Sequence, residues 1–374
     1  MRSADLNDDF PKLTDIFSQL IDPLADGIHC FPGLIAELPR PFGWGCRTWA
    51  ERASIPPVAS YYPIVRPLPL FLLLFVCGCA STLPPNTEGM SLLGTPLVRR
   101  ELRPDLLEQR TNELAAARRD YERDPNSADA IIWLGRRTAY LGRFREAIDI
   151  FTEGIRKHPD DARMFRHRGH RYLTIRQFDR AIADFERADE LTRGKPDEIE
   201  PDGLPNARNT PIGSLQSNIC YHHALAWYLK GDFQRALPIY ERCHQLSTND
   251  DRLVSTTHWL YMTLRRLGRV DDASRLLAPI TRNLDVIENT AYHKLTLLYA
   301  GQIAPEELMR ENPDTTDGAT ILYGVGNWFL YNGQRDQARE IFQRIVDANN
   351  WVLFGFIAAE AELSSLRSSQ TPVR

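Results

Sequence analysis

The sequence predicts an all-α fold, a solenoid of antiparallel helix pairs, and three observations carry that prediction. Phe144 and Phe178 lie 34 residues apart, and the same step separates Ala147 from Ala181 and Phe151 from Phe185. Glycines recur downstream at Gly231, Gly268, Gly301 and Gly333, stepping by 37, 33 and 32 residues. Hydrophobic residues make up 43% and charged residues 25% of the 374, the balance of a folded soluble chain rather than a disordered one. A near-regular period of this length marks an array of stacked repeats, none of which buries its apolar face alone.

Taken in chain order, residues 1–63 mix Pro, Gly, Trp and Cys without a sustained amphipathic face and read as a poorly structured leader. Residues 64–80 differ. Arg66 precedes the apolar run Leu68–Val76, too short for a bilayer span of about 20 residues but matched to the apolar core of a secretory signal peptide. Gly78-Cys79-Ala80 closes the run and resembles the lipobox of bacterial lipoproteins. That resemblance implies a lipid on Cys79 as the first residue of the mature chain, and Ala80 behind it implies sorting to the outer membrane. Cys77 is the poorer candidate because bulky Val76 precedes it. The other reading of the run is a buried apolar strand or helix. No Met lies between Met1 and Met90, so translation is expected to start at a non-Met codon such as Val58 or Val65, with residues 1–57 upstream. Residues 81–103, rich in Ser, Thr, Pro, Asn and Gly, are expected to form a flexible tether.

The repeat domain spans 104–367. Residues 104–123 read as a polar capping helix. The first copy carries Leu134, Gly135, Gly142, Phe144, Ala147, Phe151 and Pro159; the second carries Gly169, Tyr172, Phe178, Ala181, Phe185 and Ala188. Gly135 and Gly169 let two helices approach closely, Gly142 suits a turn at positive φ, and Pro159 stops the second helix. A third copy holds Ala224, Trp227, Gly231, Phe233, Ala236 and Tyr240, and a fourth Leu260, Leu264, Gly268, Val270, Ala273 and Leu277. Tyr299 and Gly301 mark a fragmentary fifth with a short second helix near Pro305–Met309, and Gly326, Phe329, Gly333, Ala338 and Phe342 a sixth. Residues 351–367 read as the closing cap, with Trp351, Leu353 and Phe354 inward and Glu360, Glu362 and Arg367 outward, ahead of a disordered tail, 368–374. These positions resemble the tetratricopeptide repeat, and the resemblance implies a right-handed superhelix of five to six helix pairs.

One step is too long. Phe178 and Phe233 are 55 residues apart, 21 more than the repeat allows, and the excess falls in a Pro- and Gly-rich acidic insertion, 191–215. Its run Asp197, Glu198, Glu200 and Asp202 also carries Ile199 and Leu204, which points to docking rather than free solvation. In the family that the repeats resemble, ligands bind the concave face lined by the first helix of each pair. The resemblance carries this role to Arg136, Tyr140, Arg163, Arg166, His170, Tyr221, Tyr228, His258, Met262, Arg265, Arg266, Tyr323 and Asn327. These residues make a basic, aromatic face suited to carboxylates; the Lys/Asn pattern of the carboxylate-clamp subgroup is not reproduced. The bland reading is a set of ordinary helix-surface residues. The sharper one is that the acidic insertion folds back over the groove.

Other chemistry finds little support. A net charge of −4 argues against a nucleic-acid binder. There is no Gly-rich phosphate loop, HExxH or GxSxG, so neither an enzyme nor a cofactor is expected. His222 and His223 are adjacent on a helix and do not chelate as a pair; His167 is expected to face solvent and His170 the groove, and no metal is expected. Cys220 and Cys243 fall at core positions of one helix pair, either as a disulfide in an oxidising compartment or as two small buried thiols. The expected function is a protein- or peptide-binding scaffold, with an acidic partner, anchored by lipid in a bacterial envelope and facing the periplasm. The alternatives are a soluble cytosolic adaptor without an anchor and, more remotely, an accessory domain of an enzyme.

Overall fold

The computed structural model describes residues 83–368, which belong to one compact unit, Thr82–Arg374. The expected leader, the apolar run with Cys79, and the tail from residue 369 lie outside the described residues.

Two strands, β1 (Thr87–Met90) and β2 (Pro96–Val98), pair antiparallel ahead of the helices. Their turn closes through the Ser91 N–H donating to the Thr95 carbonyl at 2.8 Å. This hairpin corrects the expected tether. Its buried Glu88 accepts from the Arg99 guanidinium at 2.6 Å and from the Arg145 backbone N–H at 2.9 Å, while Leu97 enters the core. Local composition reads as linker, but partners far along the chain hold the segment.

Helix α1 (Pro104–Arg123) starts on a proline, whose fixed φ suits the first helical turn. Helix pairs then follow: α2 (Ala128–Tyr140) with α3 (Phe144–Lys157), α4 (Ala162–Thr174) with α5 (Phe178–Thr192), α6 (Leu215–Leu229) with α7 (Phe233–Gln245), and α8 (Asp250–Arg266) with α9 (Val270–Leu276). The last pairs are α10 (Thr290–Tyr299) with α11 (Pro305–Leu308) and α12 (Thr316–Tyr331) with α13 (Arg335–Asp347), and α14 (Phe354–Ser368) closes the array. Side chains of Ser127, Asp161, Ser214, Asn249 and Thr315 cap the first helices α2, α4, α6, α8 and α12 by accepting a first-turn N–H. Each such cap contributes about 1 kcal/mol.

The pairs are locked by a repeated contact. A Cβ built on Gly135 would meet the Phe151 ring at 2.5 Å, one on Gly169 the Phe185 ring at 2.9 Å, and one on Gly326 the Phe342 ring at 2.6 Å. The aromatic ring of the second helix thus occupies the space that a side chain on the first would need. Turns within pairs use Gly142, Gly231, Gly268, Gly301 and Gly333, all at positive φ. The second pair breaks this rule: Arg176 takes the turn position at φ 66°.

The fifth pair has the short second helix that its sequence predicts, four residues in α11. The fourth differs from expectation, since α9 stops after seven residues at Leu276. Pro279 follows, and the residue before a proline is pushed out of the helical region.

The array curves tightly enough for distant inner helices to meet. The Tyr323 hydroxyl on α12 donates to the Tyr228 hydroxyl on α6 at 2.9 Å, across 95 residues. Helix α14 follows this curve inward, correcting the expected orientation of its acids. Glu360 is fully buried and pairs with Arg176 at 2.6 Å, and Glu362 pairs with Arg266. Glu360 also accepts from the Leu92 N–H of the hairpin, and Trp351 Nε1 donates to the Val98 carbonyl at 2.6 Å. Between α6 and α7, Cys220 and Cys243 form a disulfide, which decides between the two readings of these cysteines.

Two outcomes are expected. Glu360→Gln leaves the Arg176 charge buried without its counterion and lowers unfolding stability by about 3 kcal/mol or more, read from urea midpoints. Thiol labelling of denatured, unreduced protein leaves Cys220 and Cys243 unmodified, and reduction makes both reactive; labelling before reduction would contradict the bridge.

Candidate functional site: the inner face of the repeats

The inner face is built from first helices, and it divides into three regions. At the end near α2 and α4, the insertion between α5 and α6 lies against the helices. Glu200 sits 2.9 Å from the Nε of buried Arg166 and 3.2 Å from the amide of Asn218. The Gly203 carbonyl accepts from Arg137 at 3.1 Å. A Cβ on Gly203 would fall 1.8 Å from the Tyr140 hydroxyl and 2.7 Å from the Arg136 guanidinium, so the segment passes these side chains at backbone contact. Arg136 itself stacks over Trp133 at 4.3 Å. Arg136, Tyr140 and Arg166 are therefore brought together, and the acidic insertion covers them.

The middle region is core rather than groove, which corrects the expectation for most of the aromatic positions. Tyr221 is buried, accepting from Trp259 Nε1 at 2.6 Å and sharing a hydroxyl contact with Tyr292 at 2.9 Å. Tyr228, Tyr323 and Asn327 form one buried polar knot, with the Asn327 amide donating to both hydroxyls and to the Met262 sulfur. His258 is fully buried and meets the Tyr299 hydroxyl at 3.0 Å. Arg266 is spent on Glu362. Curvature of the array closes these residues on one another. His170 lies between the His222 and Phe354 rings, at 4.5 and 5.3 Å. His167 does not face solvent as expected; it is buried and stacks on Phe151 at 5.6 Å.

The third region is the rim. Arg163 pairs with Asp161 and Asp129, both at 2.6 Å, and these carboxylates raise its pKa. Arg265 stacks over Tyr331 at 4.2 Å and donates to Asn332 at 2.9 Å.

Two residues that matter were not among the sequence candidates. Arg252, in the first turn of α8, is buried, donates to the Asn218 side-chain oxygen at 3.2 Å, and has its Nε and second terminal nitrogen buried without a hydrogen-bond partner. Arg171 lies over the Phe144 ring at 5.7 Å. Burial brings each of these guanidinium pKa values down to about 10. Helix-face counting had no means of selecting Arg252, because its partner Asn218 lies 34 residues away on α6.

Histidines on this face are held neutral. Burial takes His258 down to about 3 and His223 to about 4, and burial followed by nearby arginines holds His167, His170 and His222 well below the usual value.

Against known families, models of the tetratricopeptide repeat match residues 134–196 and 321–349. The chain carries tetratricopeptide repeats. Comparison with curated proteins finds no match. Among solved structures, the chain is similar to YrrB, described as a TPR protein with an unusual peptide-binding site, at 15% identity, covering 68% of this chain and 98% of that one with a TM-score of 0.36. A tetratricopeptide repeat protein from Parabacteroides merdae matches at 14% identity over 69% of this chain and 98% of its own, TM-score 0.40. BtubC from P. vanneervenii matches at 15% identity over 72% and 93%, TM-score 0.37.

The neutral histidines make stability pH-dependent. Rings with depressed folded pKa values take up protons in the unfolded chain first, below the unshifted value of 6.5. Their contribution is complete above that pH and is lost as pH falls toward 4 for His223 and 3 for His258. Each ring contributes a slope of up to about 1.4 kcal/mol per pH unit. Urea midpoints are therefore expected to drop between about pH 7 and about pH 5; equal midpoints would contradict neutral burial.

Proposed function

We propose that this chain is a non-catalytic interaction scaffold that takes an acidic protein or peptide partner on the inner face of its repeats. The observation that carries this reading is the contact of the acidic insertion with Arg166, Arg137 and Tyr140: a chain segment rich in carboxylates is already seated on the first helices. Tetratricopeptide repeats in general act as protein-binding scaffolds, and the described residues contain no group of three or more His, Cys, Asp or Glu arranged to hold a metal ion.

The same proposal places the chain in a bacterial envelope, held by lipid on Cys79 and facing the periplasm, at the outer membrane by the nature of Ala80. The Cys220–Cys243 disulfide supports this, since such bonds persist in oxidising compartments. No helix among the described residues is long and apolar enough to cross a membrane.

Fractionation tests the location. The chain is expected in membranes, a longer precursor is expected to accumulate under globomycin, and Cys79→Ser is expected to release it. Full-length soluble chain insensitive to globomycin would leave the cytosolic adaptor as the better reading. Affinity capture from membrane extracts tests the scaffold role; a chain that retains no specific protein does not have it.

A further inference from the structure

Four arginines converge on the inner face near α2, α4 and α8, where Asp202 of the insertion acts on Arg136 at a distance and Asp197 and Glu200 act on Arg252. Arg136, Arg166, Arg171 and Arg252 lie within electrostatic range of Arg166 or of one another. Among the described residues, only Arg166 of these four has a carboxylate within ion-pair distance, and that carboxylate is Glu200. Arg252 is more than nine-tenths buried, yet two of its three guanidinium nitrogens have no hydrogen-bond partner. Asn218 links the two ends, accepting from Arg252 at 3.2 Å and donating to Glu200 at 3.2 Å. Arg252, Asn218, Glu200 and Arg166 thus form a continuous chain with donor capacity to spare. A buried guanidinium with unmet donors is costly, and a second carboxylate oxygen is the group that would meet them.

The segment bearing Glu200 is attached in a way that permits release. Its large apolar residues, Ile199 and Leu204, are 72% and 54% exposed, so it gains little from apolar burial. Its remaining anchors are the antiparallel Ile199–Ser214 bridge, where the Glu200 N–H donates to the Gly213 carbonyl at 3.2 Å and the Leu215 N–H to the Glu198 carbonyl at 2.8 Å, and the exposed contacts of Arg208 with Asp285 at 2.9 Å and Asn206 with Glu288 at 2.5 Å. Exposed polar contacts of this kind add little to cohesion. The bridge ties the segment only to its own chain at the start of α6, so its cohesion with α2 and α4 rests on the Glu200 side chain and on the close passage of Gly203, whose carbonyl accepts from Arg137.

We infer that Arg166, Asn218 and Arg252 form a carboxylate-binding site for an acidic peptide, and that Glu200 of the chain's own insertion is its resident occupant, displaced when the partner binds. This rests on the scaffold reading above and adds to it the identity of the pocket, the chemistry of the ligand, and an internal competitor. Salt that weakens the Glu200 contact releases the segment, and a partner with closely spaced carboxylates takes its place.

The test uses a fluorescent synthetic peptide with the sequence of residues 197–204, titrated against the full-length chain. Intramolecular competition makes binding by the unaltered chain weak. Glu200→Gln removes the resident carboxylate. Gly203→Val drives a side chain into Tyr140 and Arg136 and lifts the segment without changing any charge. Both are expected to bind the peptide at least about tenfold more tightly than the unaltered chain. The gain is expected to vanish when Arg252→Gln is added to Glu200→Gln, and when the peptide carries Asn and Gln in place of its acids. Equal affinity across all three chains, no binding by any, or a gain that survives Arg252→Gln overturns the inference. The scaffold reading fails separately: a chain that captures specific proteins whose recovery ignores Glu200→Gln keeps its scaffold role and loses this site.

Discussion

The buried ion pair between Arg176 and Glu360 is the contact on which the closed form of the array depends. Arg176 stands in a turn where the other pairs use glycine, and it holds a left-handed backbone conformation that costs a non-glycine residue about 1 kcal/mol or more. What offsets that cost is the seat of its side chain. Both partners are almost wholly buried, and Glu360 also takes the Leu92 N–H of the hairpin. One carboxylate thus ties the turn after α4, the last helix and the strands before the first helix. Position along a solenoid is normally one-dimensional, each repeat touching its neighbours. Here residues 184 positions apart are bonded, and the inner face becomes an interior.

That closure explains the chemistry of the inner helices. Hydroxyls, amides and imidazoles that would be wet on an open groove have instead to satisfy one another. Tyr228, Tyr323, Asn327 and Met262 do so in one knot, and His258 with Tyr299 in another. Buried rings stay neutral, because charging them there would cost more than a nearby acid returns. Arginines without an ion-paired acid of their own gather at the end near α2, α4 and α8, beside the acidic insertion.

The repeats were legible in the sequence because their determinants are local. Gly135 with Phe151 and Gly169 with Phe185 recur at a fixed spacing, so both the period and the crossing of helices within a pair are written along the chain. The 21-residue excess was legible for the same reason, as a break in period. Tyr140, Arg136 and Arg166 could be assigned to the inner side from helix position. Their burial could not, since the covering group, Glu200, reaches them from outside the repeat. Glu360 and Glu362 read as solvent-facing because acids at a helix surface usually are; nothing near them in sequence announces Arg176 or Arg266.

What the sequence by itself determined, then, is the set of interactions between residues one repeat apart or less: helix starts, turns, pair packing and the place of the insertion. The tertiary structure alone decided which inner residues are core, where the hairpin docks, and which carboxylate answers each arginine. The physical reason is that curvature is a sum of small rotations between successive pairs. No single pair contains that sum, yet it sets whether residues a hundred positions apart meet each other or meet water.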